Sequence, residues 1–273
     1  MDIKTYHIRS GISSPCKLCL ITDLHDRPYR HILRSIRREK PDYICIAGDL
    51  IIGKIPTRGT KMEQARHALP FLRACASLAP SYFSLGNHEC FLSRTDLALI
   101  RTTGVKVLDN NYIALKKDLF LGGLTSSRVT DYRRERKAHY RRHPEDTNPY
   151  PFCWPRNPSG VPCTDWLDAF EAEKGFKVLL SHHPEDWESI ISRRRIDLTC
   201  SGHAHGGQIR FYNPQTRQWD GLFAPSQGAF PALTSGKIKG RRGQLIISRG
   251  LANTAWPIPR LFNPKELIYI RLY

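Results

Sequence analysis

The sequence predicts an α/β protein with two packed sheets and helices outside them, a four-layer α/β/β/α sandwich of two mixed sheets flanked by helices. Short apolar runs alternate with segments of helical period early in the chain, and many further short strands follow. At 273 residues the chain is long enough for a large buried core. Hydrophobic content of 40% and charged content of 25% are ordinary for a globular protein.

Residues 17–22 read as a buried strand, and 29–39 as a basic amphipathic helix behind Pro28, a good first-turn residue. Tyr43–Ala47 is the next strand, 62–78 a second helix and 82–85 a third strand. Short strands at 105–108, 112–115 and 119–121 follow, with Asn-Asn and Lys-Asp turns between them. Later strands are expected at 177–180, 197–200, 208–212, 244–248 and 267–272.

One segment breaks this rhythm. Residues 126–163 are first rich in arginine, then in proline and aromatics. The front half reads as a basic helix, whereas the prolines exclude regular structure from the back half. Loops of this length are usually functional or disordered, and Tyr150, Phe152 and Trp154 argue against disorder. The expectation is a single domain over 1–273 with an ordered cap insertion at about 126–163 beside the site.

The N-terminus lacks the charged start and apolar stretch of a signal peptide, and no apolar run approaches the length of a membrane helix. Eight cysteines are scattered, and Cys19, Cys45 and Cys200 lie in apolar runs. That usage fits reduced thiols and a cytoplasmic location. Cys16 and Cys19 form a C-x-x-C without the second pair a zinc knuckle needs, so core packing is the expected role. The formal charge of +17 draws anions and permits nucleic acid, phosphorylated metabolites or anionic lipid headgroups as partners.

Chemistry concentrates where strands end. The first ends in Asp23-Leu24-His25, the second in Gly48-Asp49 and the third in Gly86-Asn87-His88-Glu89. Ligands at the carboxyl ends of neighbouring strands converge on one crevice. In an extended D-x-H the side chains of Asp23 and His25 would point the same way, toward one ion. Leu180-Ser181-His182-His183 and Gly202-His203-Ala204-His205-Gly206-Gly207 supply imidazoles after later apolar runs. Carboxylate, imidazole and amide oxygen together suit manganese, iron or zinc better than magnesium or calcium, with manganese favoured. A bridging carboxylate would hold two ions about 3.5–4 Å apart.

The series Asp23-x-His25, Gly48-Asp49, Gly86-Asn87-His88-Glu89, His182 and Gly202-His203-x-His205 resembles the calcineurin-like metallophosphoesterase family. Gly206-Gly207-Gln208, Gly221-Leu222-Phe223, Ser248-Arg249-Gly250-Leu251 and Asn263-Pro264-Lys265-Glu266 look most like its YkuE/YaeI-type branch of phosphodiesterases. The resemblance implies that Asp23, His25, Asp49 and His205 hold one divalent ion. Asp49 would bridge to a second, held with Asn87, His182 and His203. It further implies a bridging hydroxide that attacks phosphorus, and His88 off the metals, neutralising phosphate charge and protonating the leaving oxygen. Catalysis would thus rest on His88 and Asp49. Glu89 would support the site from behind. At a strand end only one of His182 and His183 can face the ions, and the family pattern favours His182. Ala252 and Asn253 replace glycines expected in the branch, and 126–163 looks like an insertion.

The expected function is therefore hydrolysis of a phosphodiester or pyrophosphate. Within the same chemistry the alternatives are a nuclease, gripping phosphates with Arg133, Arg134, Arg136, Lys137, Arg141 and Arg142, and a lipid-linked pyrophosphate hydrolase peripheral to a membrane through Phe152, Trp154 or Trp166. A scaffold that has lost catalysis is the reading from another class, and the complete ligand set speaks against it.

Overall fold

The computed structural model describes residues 1–252 and 258–273. Chain order begins with β1 (Asp2–Ile8), β2 (Cys16–Ile21), α1 (Arg30–Glu39), β3 (Tyr43–Ala47), α2 (Lys61–Gln64) and α3 (Ala68–Ala76). Next come β4 (Ser81–Ser84), a short 3-10 helix (Asn87–Phe91), α4 (Arg94–Arg101), β5 (Lys106–Leu108), β6 (Asn111–Lys116), β7 (Leu119–Leu124) and α5 (Ser127–Arg142). The second half holds α6 (Leu167–Ala172), β8 (Phe176–Ser181), α7 (Glu185–Ser189), β9 (Leu198–Ser201), β10 (Arg210–Asn213) and β11 (Gln218–Gly221). It closes with β12 (Phe223–Ala224), β13 (Gly228–Ala229), β14 (Gly236–Lys239), β15 (Gln244–Ile247) and β16 (Glu266–Leu272).

Two six-stranded mixed sheets result, ordered β1-β16-β2-β3-β4-β5 and β14-β15-β9-β8-β7-β6. Strand alternation sorts the side chains into three cores. Cys19 and Ile21 of β2 face α1, α3 and α5, packing with Ile32, Phe71 and Tyr132. Leu18 and Leu20 face the other way and meet Leu121, Val178 and Leu198 of the second sheet. On that sheet's far side Phe120, Leu179 and Leu245 cover Phe170 and Trp187. The four expected layers are present. Cys16 and Cys19 fall in different cores, on opposite faces of β2, so they cannot share a metal ion. All eight cysteines are free.

Three differences from the sequence reading have identifiable causes. The expected helix over 62–78 is two helices, because the Asp26 carboxylate accepts the N–H groups of Arg66, His67 and Ala68 at 2.9, 2.7 and 2.9 Å and starts α3 afresh. The strand expected over 208–212 begins only at Arg210, since Gln208 adopts φ 56°. Several elements went unread: α4, although Ser93 and Asp96 form a capping box, β1, whose parallel partner is the distant β16, and the short α6, α7 and β11 to β14.

The arrangement matters at one edge. Strands β2, β3 and β4 are mutually parallel, as are β7, β8 and β9, so their carboxyl ends gather together. Ser84 Oγ lies within hydrogen-bond distance of the carbonyls of Leu124 (3.2 Å) and Leu180 (3.3 Å), tying the two sheets at that edge.

Candidate metal centre

The residues that leave these strand ends do not continue as extended chain. Asp23 (φ 54°), His25 (48°), Asp49 (54°), His203 (64°) and His205 (47°) all take the left-handed conformation. The expected extended D-x-H is therefore corrected: Asp23 and His25 share a face because both residues are coiled left-handed. Such a conformation costs on the order of 1–2 kcal/mol per residue, less for Asp and His than for branched residues, and persists where surroundings dictate it. Glycine makes the close approach feasible. A Cβ at Gly202 would lie 2.5 Å from Asp23 Oδ2, and one at Gly48 (φ 83°) would overlap the His182 ring.

Four overlapping groups follow: Asp23, His25 and His205; His25, Asp49 and His88; Asp49, His182 and His203; and His183, Glu185 and His203. Within each, one ligand atom per residue lies within 4.8 Å of the others. Asp49 Oδ2 is 3.1 Å from His182 Nε2, 3.9 Å from His25 Nε2 and 3.8 Å from His88 Nε2. Asp23 Oδ1 is 3.8 Å from His25 Nε2 and 3.7 Å from His205 Nε2. His25 Nε2 and Asn87 Oδ1 are buried without a hydrogen-bond partner, and Asp49 Oδ2 and His182 Nε2 are buried with only each other within hydrogen-bond reach. Buried polar atoms are rarely left so, and lone pairs turned into one space fit divalent cations.

The outer nitrogens are occupied. His25 Nδ1 reaches the Ile51 carbonyl (3.3 Å), His182 Nδ1 that of Ala47 (2.8 Å) and His205 Nδ1 that of Ala252 (3.1 Å). Such backbone bonds turn Nε2 inward as the ligand atom. His203 differs, its Nε2 lying 3.0 Å from Ser226 Oγ, which leaves Nδ1. Burial lowers His25, His203 and His205, so they stay in the neutral form that coordinates cations. Burial also disfavours charge on His182, but contact with Asp49 outweighs it and raises this imidazole to about 10. Burial penalises the Asp49 carboxylate in turn, yet His182, His88 and His25 hold it well below its usual range.

Glu89 lies behind the cluster, fully buried. Its Oε2 accepts from Gly86 N (2.7 Å) and Asp49 N (2.8 Å), and its Oε1 from Leu50 N (3.0 Å) and Ile51 N (3.3 Å). One carboxylate thus fastens both turns that carry Asp49 and Asn87. Burial and the Asp49 charge push Glu89 up to about 8, against these donors, which favour the ionised form. His88 Nδ1 accepts the Gly53 N–H at 2.7 Å, so its proton sits on Nε2, the atom facing Asp49. The rings of His182 and His183 are nearly perpendicular, at 86°. His183 Nε2 pairs with Ser126 Oγ (2.8 Å), and its Nδ1 lies 3.9 Å from Glu185.

Residues 127–142 form the expected basic helix, and the segment after it is irregular up to α6. Tyr132, Tyr150 and Trp154 gather on Phe91, with ring centroids 5.1, 6.3 and 5.0 Å away. Phe91 belongs to the same 3-10 helix as Asn87 and His88. Much of the arginine cluster is engaged within the chain: Arg133 pairs with Asp109, Arg134 with Asp131, and Arg136 lies over the Tyr132 ring. Phe152 packs on Tyr132 and Trp166 on Phe170, so only Trp154 of the three expected membrane aromatics is exposed. Sequence reading missed Ser226 and Arg260. The latter contacts the carbonyls of Ala252 (3.1 Å) and Asn263 (2.6 Å) behind His205, and no local pattern announces it. The Asn263 amide donates to the His205 carbonyl (2.7 Å), giving that branch-like motif a physical role. Ala252 is buried, while Asn253 lies outside the described residues.

A family model described as calcineurin-like phosphoesterase matches residues 16–207. An uncharacterized metallophosphoesterase of Helicobacter pylori is 23% identical over 268 residues, covering 94% of this chain and 59% of its own length. The chain thus spans less than two thirds of that relative. The uncharacterized metallophosphoesterase YkuE of Bacillus subtilis is 29% identical over 100 residues, 36% of this chain and 32% of YkuE. Among solved structures, the Thermus thermophilus sulfate thiohydrolase SoxB is 12% identical, with 86% of this chain and 52% of that chain aligned at a TM-score of 0.50, a likeness of fold alone. The family match covers most of the chain and contains every strand-end motif of the centre, from Asp23 to His205, and the protein belongs to the calcineurin-like phosphoesterase family.

Proposed function

We propose that the chain is a dinuclear metal-dependent phosphohydrolase that cleaves a phosphodiester or a pyrophosphate. The carrying observation is the buried cluster of His25, Asp49 and His182 ligand atoms, with Asn87 Oδ1 buried and unpartnered on the neighbouring turn. Asp23, His25, Asp49 and His205 would hold one cation, and Asp49, Asn87, His182 and His203 the other. Bound there, two divalent cations supply Lewis acidity and an ionisable water. Asp49 shares its two oxygens: Oδ2 faces the histidines, while Oδ1 accepts the His88 N–H at 2.9 Å and fixes that residue's backbone. His88 presents an Nε2 proton to a phosphoryl oxygen as charge builds on it. Residues 126–163 serve as a cap within a single domain, resting on Phe91 beside the reacting groups.

The test is hydrolysis of bis-p-nitrophenyl phosphate and p-nitrophenyl phosphate with manganese, with chelator, and in His88→Ala. Manganese-dependent cleavage of the diester, lost in the variant, supports the reading. A folded, manganese-loaded protein that cleaves neither ester contradicts it.

Peripheral membrane contact is a second reading, supported by exposed Phe211, Tyr212, Trp219, Phe230 and Phe262 beside Lys4 and Arg210. Among the described residues no helix is long and apolar enough to cross a membrane. Sedimentation with anionic phosphatidylserine vesicles, lost in Trp219→Ser with Phe262→Ser, is the expected result. Absence of binding at low salt contradicts it. A nuclease activity has less support, because Arg133 and Arg134 are already paired with carboxylates.

A further inference from the structure

Among the arginines of α5, Arg128 is the one stacked on Trp154; Arg136 is stacked likewise, but on Tyr132. Arg128 is exposed in the first turn of the helix, and its guanidinium lies over the Trp154 ring, 4.9 Å from the centroid. Arg133 and Arg134 are neutralised by Asp109 and Asp131. Among the described residues, the Arg128 guanidinium has no carboxylate and no hydrogen-bond acceptor of this kind.

Its platform is fixed to the centre. Trp154 packs on Phe91 at 5.0 Å, and its ring edge fills the corner of Gly53 and His88. A Cβ placed at Gly53 would lie 3.0 Å from Trp154 Cη2 and 3.1 Å from His88 Cγ. On the other side, Ser126 Oγ joins the Arg128 backbone N–H (3.3 Å) to the His183 ring (2.8 Å). The guanidinium is thus held over an indole that meets the Gly53 and His88 corner, while the Arg128 backbone is tied through Ser126 to His183.

We propose that Arg128 grips a second phosphate of the substrate, next to the one that reacts, and that Trp154 is the positioning residue that holds it there. The inference rests on the phosphohydrolase reading and narrows it toward substrates with two adjacent phosphates. A simple diester brings one negative charge, which the crevice itself is equipped to meet. An exposed guanidinium without a carboxylate partner among the described residues is available to a substrate that brings another anion beside the reacting one. A guanidinium fork matches phosphate oxygens two at a time, and stacking on an indole leaves its N–H edge free for that contact.

The experiment compares kcat/KM for bis-p-nitrophenyl phosphate and diadenosine pyrophosphate in the manganese-loaded wild type, Arg128→Met, Arg128→Lys and Trp154→Leu. Calorimetric binding of methylenediphosphonate gives a readout independent of turnover. Arg128→Met is expected to lose about 10- to 100-fold on the pyrophosphate, mostly in KM, the worth of one charge-assisted contact. The diester should change less than about threefold, on the same scale. Methylenediphosphonate binding should weaken in step, Arg128→Lys should recover part of the loss, and Trp154→Leu should share its selectivity. Unchanged melting temperature in Arg128→Met checks that the fold is intact. Equal losses on both substrates, no loss on either, or a wild type that cleaves the diester but not the pyrophosphate overturns the inference and leaves the phosphohydrolase reading standing. A wild type that cleaves neither removes that reading and the inference with it.

Discussion

Glu89→Gln tests how the two turns of the centre are held. The carboxylate accepts four backbone N–H groups, from Gly86 and Asp49 on Oε2 and from Leu50 and Ile51 on Oε1. An amide keeps only one oxygen. Whichever way it turns, its NH2 group faces two of those donors. A buried donor without an acceptor costs about 1–3 kcal/mol, so roughly 2–6 kcal/mol should be lost. At about 2–4 °C per kcal/mol for a chain of this size, the melting temperature should fall by roughly 5–20 °C. Thermal unfolding followed by circular dichroism in metal-free buffer at about pH 9, above the value of about 8 to which burial and Asp49 push Glu89, measures this directly. Manganese affinity should fall as well, because Asp49 and Asn87 ride on the loosened turns. A melting temperature within about 2 °C of wild type would refute the reasoning. It would mean that Glu89 is protonated, as burial beside Asp49 favours, and that two donors already lack an acceptor.

Further expectations concern the centre and its supports. Asp49→Asn should lower the rate of diester cleavage by at least about a thousandfold, since it weakens both cation sites at once, and a steady-state assay at saturating manganese checks this. Gly202→Ala places a methyl 2.5 Å from Asp23 Oδ2; manganese binding measured by calorimetry should weaken at least about tenfold, and an unchanged affinity would show that Asp23 is not held there. Asp49 raises His182 to about 10, so this imidazole carries a proton at pH 7 in chelated protein and must release it to bind a cation. Calorimetry in buffers of different ionisation enthalpy should therefore report close to one proton released per chain, where no release would contradict the assignment. Tyr132→Ala empties a fully buried site between α5 and Phe91 and should cost about 3–5 kcal/mol in urea unfolding.

The strand-end motifs were legible because each is short and contiguous, and parallel strands carry their ends to a common edge without further information. The backbone conformation was not legible. Asp23 and His25 were read as extended because alternation is the only rule that a tripeptide offers, whereas their left-handed turns are imposed by bonds such as Asp23 N to the Gly48 carbonyl (3.2 Å) and His25 N to the Asp49 carbonyl (3.0 Å). Long-range pairing hides in the same way. Asp2–Ile8 is a polar-looking edge strand whose identity comes from Glu266–Leu272 at the other end of the chain. The break between α2 and α3 depends on Asp26, which lies outside the helical period altogether. By contrast, the arginine-rich helix and the irregular stretch after it were readable from propensity and proline content, because neither depends on a distant partner.

The most direct test of the central claim is to titrate chelated protein with manganese, counting bound ions and the rate of bis-p-nitrophenyl phosphate hydrolysis in the same samples. Two ions per chain are expected, with the rate rising only as the second site fills and with neither seen in Asp49→Asn. One ion per chain at full activity, or hydrolysis that survives the chelator, would contradict a dinuclear centre built on Asp49.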